Sequence, residues 1–139
     1  MRLFLDTSVL LAASGSAAGA SREIFRRALA NGWVLISTPY VLEEVLRNLS
    51  GLPTQASAEW ARLRPALLVR DDVLTLDRPA VFHAAKDRPV LFSALAWADV
   101  LLTLDRSDFG ALMGNSFYGL VVLKPGAFLE RERAAGQFK

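Results

Sequence analysis

LFLDTSVLLAA, Leu3 to Ala13, is the stretch whose reading decides the fold. Leu3 to Leu5 is a short apolar run that ends on a carboxylate, Asp6. Thr7 or Ser8 then suits the cap of a helix through Val9, Leu10 and Leu11. The step recurs far along the chain, where Val100 to Leu104 predicts an apolar strand ending on Asp105. Arg2, the apolar run Val9 to Ala13 and the small residues ASGSAAGAS superficially suggest a secretory signal, but Asp6 interrupts it. No apolar stretch approaches the ~20 residues that cross a membrane, so the expected setting is the cytoplasm.

Working outward, Ser14 to Ala20 reads as a loop, and Ser21 opens a helix over Arg22 to Ala30 that Asn31-Gly32 stops. Trp33 to Ser37 predicts a buried strand. Thr38-Pro39 places a capping residue before a proline in the first helical position, leading into Tyr40 to Leu49. Thr54 to Arg64 predicts a further helix, after which either Leu67 to Val69 or Val73 to Leu76 is a strand. Asp87-Arg88-Pro89 opens a helix through Trp97. Leu120 to Leu123 forms the last strand, stopped by Lys124-Pro125-Gly126, and a tail helix spans about 127–135.

Strands that are continuous apolar runs alternating with helices predict a parallel sheet covered on both faces, a three-layer α/β/α sandwich. In such a sheet the ligand site lies at the carboxyl ends of the strands, where strand order reverses. The 139 residues suit a single domain, 1–139, and 53% hydrophobic content supports a packed core.

With no cysteine and His83 as the one histidine, thiolate and His-rich metal sites are excluded. Any metal must be held mainly by oxygen, which suits Mg²⁺ or Mn²⁺. The net charge is a modest +2, yet only Lys86, Lys124 and Lys139 of the 16 basic residues are lysines. Arginine forks match phosphate well, although the groups around Arg22 to Arg27 and Arg62 to Arg70 read equally as solvated faces.

Asp6 alone reads as a cap. Paired with Asp105 at a second strand end it suggests a metal site, because neighbouring carboxylates repel unless a cation or proton intervenes. Glu43 and Glu44 flank opposite sides of the apolar stripe of their helix. Arg47 at i+4 gives Glu43 an ordinary surface partner and leaves Glu44 the better candidate. Asp87, at a helix start, has a strong reading as a cap. Asp99 and Asp108 stand out less, Asp108 as a supporting group or a loop cap. His83 and the three tryptophans are assigned no site role.

LDTSVLLAA around Asp6, STPYVLEEVLRNL around Glu44 and KDRPVLFSALAWADVLLTLDRSDF around Asp87 and Asp105 resemble the PIN-domain ribonucleases. The resemblance spans nearly the whole chain and implies an acidic pocket of Asp6, Glu44, Asp87 and Asp105 holding Mg²⁺ or Mn²⁺. Thr7, Ser8, Thr103 and Asp108 are the supporting positions it implies; Ser8 stands where the family often has Asn. It further implies hydrolysis of RNA, an antitoxin partner as in many small members of the family, and a homodimer. Arg88 and Arg106, each beside a proposed ligand, are candidates for RNA phosphate contacts. Two other classes compete. One is a PIN-like domain that binds RNA without cutting it; the other is a receiver-like signalling domain, suggested by Lys124-Pro125 after the last strand.

Overall fold

The computed structural model describes residues 1–79, 82 and 85–139; His83 lies outside them. Strands β1 (Arg2–Leu5), β2 (Val34–Ser37), β3 (Leu68–Val69), β4 (Val100–Leu102), β5 (Ser116–Phe117) and β6 (Leu120–Leu123) form one sheet in the order β3-β2-β1-β4-β6-β5. All pairings are parallel except β5 with β6. Helices α1 (Thr7–Gly15), α2 (Ala20–Asn31), α3 (Pro39–Asn48), α4 (Gln55–Leu63), α5 (Arg88–Trp97), α6 (Arg106–Phe109) and α7 (Pro125–Ala134) complete the α/β/α sandwich. Among the described residues, no helix is long and apolar enough to cross a membrane.

The central strands are apolar throughout because both their faces are covered. Leu3, Phe4, Leu5, Leu101 and Leu102 are fully buried, each contributing about 1.5–3 kcal/mol by leaving water. From β1 the chain first builds one side of the sheet through β2 and β3; β4 then begins the other side. The carboxyl ends of β1 and β4 therefore flank the switch point, the crevice where ligands bind in open α/β sheets. This order also differs from the 2-1-3-4-5 sheet of flavodoxin-like folds, which removes the structural basis of the receiver-like reading.

Several boundaries differ from the sequence expectation. Asp6, rather than Thr7 or Ser8, is the N-cap of α1 and accepts the Thr7 N–H at 2.7 Å. That helix runs on to Gly15, and α2 starts at Ala20 with Gly19 as its cap. Gly32, at φ 67, closes α2 in the left-handed conformation expected of it. Thr38 precedes α3 as expected but forms no side-chain cap bond; Asp72, 34 residues on, accepts the Tyr40 N–H at 3.0 Å instead. Of the two alternative strands, Leu68–Val69 joins the sheet beside β2. Strand β4 ends at Leu102, and α7 begins at Pro125, earlier than the tail helix about 127–135.

One element escaped the sequence reading altogether. Phe117 pairs with Leu120 across a two-residue turn, Tyr118-Gly119, with φ of 49 and 86. Two positive φ values in succession mark the tight hairpin turn whose twist suits antiparallel strands. Tyrosine is an unfavoured residue for its first position.

Candidate active site at the strand ends

Asp6 is built into the switch point from both sides. Its backbone N–H donates to the Leu102 carbonyl at 3.1 Å, joining the end of β1 to β4. Its carboxylate is buried, with Oδ1 accepting the Thr7 N–H and Oδ2 accepting the hydroxyls of Thr103 at 2.8 Å and Ser8 at 3.3 Å. Each hydroxyl in turn accepts a backbone N–H from the segment after β4: Leu104 donates to Ser8 Oγ at 3.0 Å, and Asp105 to Thr103 Oγ1 at 3.1 Å. With an N–H already pointing at each oxygen, the hydroxyl proton is left to face Asp6. Burial pushes the Asp6 pKa up to about 6 against the lowering effect of these bonds, with Glu44 and Asp105 adding to the rise.

Thr7 carries the arrangement on to α3, donating its hydroxyl to Glu44 Oε1. Glu44 is half-buried and faces Asp6. Glu43 is exposed and pairs with Arg47 at 3.5 Å, the surface role expected of it.

Asp87, Asp105 and Asp108 form the other half, with carboxylate oxygens that all lie within 4.8 Å of one another. Asp105 lies beyond the end of β4 and caps α6, its Oδ1 accepting the Asp108 N–H at 3.0 Å and the Ser107 hydroxyl at 2.9 Å. Asp87 occupies the cap position of α5, yet its side chain makes no cap hydrogen bond, so the bland reading of this residue does not describe its contacts. It is buried, and its Oδ2 has no hydrogen-bond partner among the described residues. Burial first, then Asp108, raises its pKa to about 8, while Asp108 is lowered by its hydrogen bond with Asp87. In the absence of a cation Asp87 is the member of this pair that keeps a proton.

The structure thus brings Asp6, Glu44, Asp87 and Asp105 to one crevice with Thr7, Ser8 and Thr103 tied among them. Asp108, a supporting group in the sequence reading, sits inside the tight cluster. Its spacing of three from Asp105 in a single-turn helix was the available signal. Lys86 was missed: its Nζ lies 3.4 Å from Asp108 Oδ2, and its only sequence signal was adjacency to Asp87. Tyr40, also missed, donates its hydroxyl to the Lys86 carbonyl at 2.5 Å and ties α3 to the segment before Asp87. Arg88 and Arg106 are exposed, each next in sequence to an acid of the crevice, and Arg88 donates to the Phe82 carbonyl at 3.2 Å.

The groups kept out of the site prove to be engaged elsewhere. Asp99 pairs with Arg2 at 3.1 Å, and Arg22, Arg26 and Arg27 pair with Glu59 or Glu23. Trp33 and Trp60 are core residues, whereas Trp97 is half-buried and donates its Nε1 to the Asp71 carbonyl at 2.9 Å.

Five carboxylates around one crevice, with Lys86 against them among the described residues, form an all-oxygen donor set that suits a hard divalent cation. Asp87 Oδ2 and Asp108 Oδ2, both buried without a hydrogen-bond partner among the described residues, are the oxygens free to ligate one.

An α/β/α sandwich with its acids gathered at the β1/β4 switch point is the PIN fold. The structure is similar to that of VapBC2 from Rickettsia felis, solved bound to a DNA fragment from their promoter. The TM-score is 0.62 at 15% identity, over 88% of this chain and 97% of that one. A second similarity is to a Mycobacterium tuberculosis VapC described as a sarcin–ricin loop cleaving toxin, with 24% identity, coverage of 78% and 94%, and a TM-score of 0.43. No protein-family model and no curated protein matches the sequence.

Proposed function

We propose that this chain is a single PIN domain of the VapC-like type, a metal-dependent endoribonuclease that acts in the cytoplasm as the toxin of a toxin–antitoxin pair. The observation that carries the reading is the cluster of Asp87, Asp105 and Asp108, with a buried Asp87 Oδ2 that has no hydrogen-bond partner among the described residues. The fold shared with VapBC2 and the sequence resemblance around Asp6, Glu44 and Asp105 support it. That VapBC2 was solved with promoter DNA supports an antitoxin partner here too. A homodimer belongs to the same proposal.

Asp87, Asp105 and Asp108 would hold Mg²⁺ or Mn²⁺, with Asp6 and Glu44 completing the acidic wall. Bound there, the ion supplies positive charge against the phosphodiester and acidifies the attacking water. The protein's own part is positional. Thr103 and Ser8 hold Asp6 through hydroxyls whose protons are aimed by the backbone after β4. Thr7 holds Glu44. Asp87, which holds a proton beside Asp108 in the free protein, would serve as a ligand in its ionised form. Arg88, Arg106 and Lys86 at the rim offset the charge of the acids and meet phosphates of the strand.

The test is cleavage of a labelled RNA by the purified chain. Product in Mg²⁺ or Mn²⁺, none in chelator, and none from a folded Asp105→Asn variant is the expected pattern. Undiminished cleavage by that variant, or in chelator, overturns the mechanism. Tight RNA binding without any cleavage by the wild type returns the non-catalytic reading.

A further inference from the structure

Beside the acid cluster, two adjoining cavities of about 390 and 360 Å³ share Thr75, Leu76, Arg78 and Phe92 and follow one face of α5. Arg88 lines the end next to Asp87, and Leu95 and Ala96 line the far end. From Arg88 to Ala96 the helix rises ~12 Å at 1.5 Å per residue, enough for about three nucleotides at a stacked spacing of 3.4 Å. The near end is coupled to the site by packing as well. Phe82 lines it and stacks on Phe109, the neighbour of Asp108, with ring centroids 5.3 Å apart.

The wall opposite α5 is made by the hairpin turn. Tyr118 projects there from its positive-φ position, 45% exposed. Its hydroxyl donates to the Pro79 carbonyl, its ring meets Phe117 edge-on at 5.0 Å, and the Arg78 guanidinium lies over it at 5.2 Å. A non-glycine residue is unfavoured in this conformation, and the outcome is a large aromatic ring held at a groove mouth. Among the described residues Arg78 pairs loosely with exposed Asp77, which also lines the groove, at 3.9 Å.

We propose that this groove is the base-binding subsite for a single-stranded RNA whose phosphate lies at the acid cluster, with a base stacked on the Arg78 guanidinium plane backed by Tyr118. The inference rests on the nuclease reading and names how that site holds its strand. Guanidinium planes and aromatic rings are the surfaces on which unpaired RNA bases stack. Arg88, between the groove and Asp87, carries the charge that a phosphate leaving the acidic crevice requires. The complementarity is to a polyanion with flat apolar faces rather than to a peptide.

The test is binding of a labelled ten-nucleotide oligoadenylate in chelator, where cleavage is blocked, alongside an abasic oligomer of equal length. Tyr118→Ala is expected to weaken oligoadenylate about tenfold, and Arg78→Gln several-fold, while Tyr118→Phe binds as wild type. The abasic oligomer should bind wild type as weakly as oligoadenylate binds Tyr118→Ala. Arg88→Ala should instead lower the slope of log affinity against log salt by about 0.7. Wild-type affinity in both Tyr118→Ala and Arg78→Gln, equal binding of the abasic oligomer by the wild type, or no binding of oligoadenylate at all overturns the subsite. Circular dichroism melts report the fold of each variant, and Arg78→Gln, at an exposed position, carries the test if Tyr118→Ala unfolds. Absence of metal-dependent cleavage with Tyr118-dependent binding intact would overturn the nuclease reading and leave the base site standing.

Discussion

Asp6 and Asp87 are nearly equally buried, at 5% and 6% exposure, but their surroundings are opposite. Asp6 accepts three hydrogen bonds, two from hydroxyls whose protons the backbone has aimed. Asp87 has an oxygen with no described donor, in a cluster of acids whose nearest cation, Lys86, leans on Asp108. The first carboxylate is satisfied by the fold and needs nothing more. The second is tolerated in the free protein by keeping a proton, at a pKa of about 8. The fold therefore satisfies one wall of the crevice and leaves the other with an unpartnered oxygen, the feature on which the proposed cation site rests.

The largest effect expected from this contrast is on catalysis. Asp105→Asn removes a ligand from the unsatisfied wall, and RNA cleavage should fall by at least about 10²-fold, measured as initial rates in Mg²⁺ or Mn²⁺. Next is the response to metal. At a concentration ~100 times its dissociation constant a ligand adds about 2.7 kcal/mol to stability, so Mn²⁺ should raise the melting temperature by several degrees in the wild type and not in Asp87→Asn. A metal response that survives Asp87→Asn would break the comparison.

The same substitution at the two acids should then act with opposite signs in chelator. Asp6→Asn turns an acceptor facing three donors into a partial donor and should cost about 1–3 kcal/mol, read from denaturant unfolding. Asp87→Asn should stabilise the metal-free protein at pH 9, where the native aspartate is ionised against its environment. The pH dependence follows from the sign of the shifts. Both acids have folded pKa values above the ordinary 3.8, so between about pH 4 and 8 the folded state binds more protons than the unfolded chain. Stability contributed by these groups is present at low pH and is lost as pH rises through about 6 and about 8. Metal-free melting temperatures that climb steadily over that range would contradict the assignment.

Thr103→Val tests the aimed hydroxyl alone and should cost about 1–2 kcal/mol while weakening cleavage. The smallest effect belongs to Glu43→Gln, which breaks only an exposed pair with Arg47 worth about 0.3–0.5 kcal/mol. Cleavage should be unchanged there and impaired in Glu44→Gln, which would sharpen the choice between the adjacent glutamates.

Much of this was legible locally. The apolar runs of β1, β4 and β6, the Gly32 stop and the Pro39 helix start are signals carried by a few neighbouring residues, and so are the acids that follow β1 and β4. What escaped was non-local or unusual. The choice of Leu68–Val69 over Val73 to Leu76 as a strand is set by its neighbour β2, and the hairpin turn at Tyr118-Gly119 lacks the customary Asn or Asp. The Asp72 cap on α3 comes from a distant segment.

The sequence by itself determined that Asp6 and Asp105 end strands of a parallel sheet, because apolar periodicity and strand termini are properties of short segments; that β1 and β4 are neighbours was decided by the packed sheet. Only the tertiary structure decided that Asp87 leaves its helix start uncapped and joins Asp105 and Asp108. It also decided that Thr7 selects Glu44 and that Thr103 and Ser8 aim at Asp6. Those outcomes depend on which donors reach a buried oxygen across the sheet, and burial is a property of the whole packed chain.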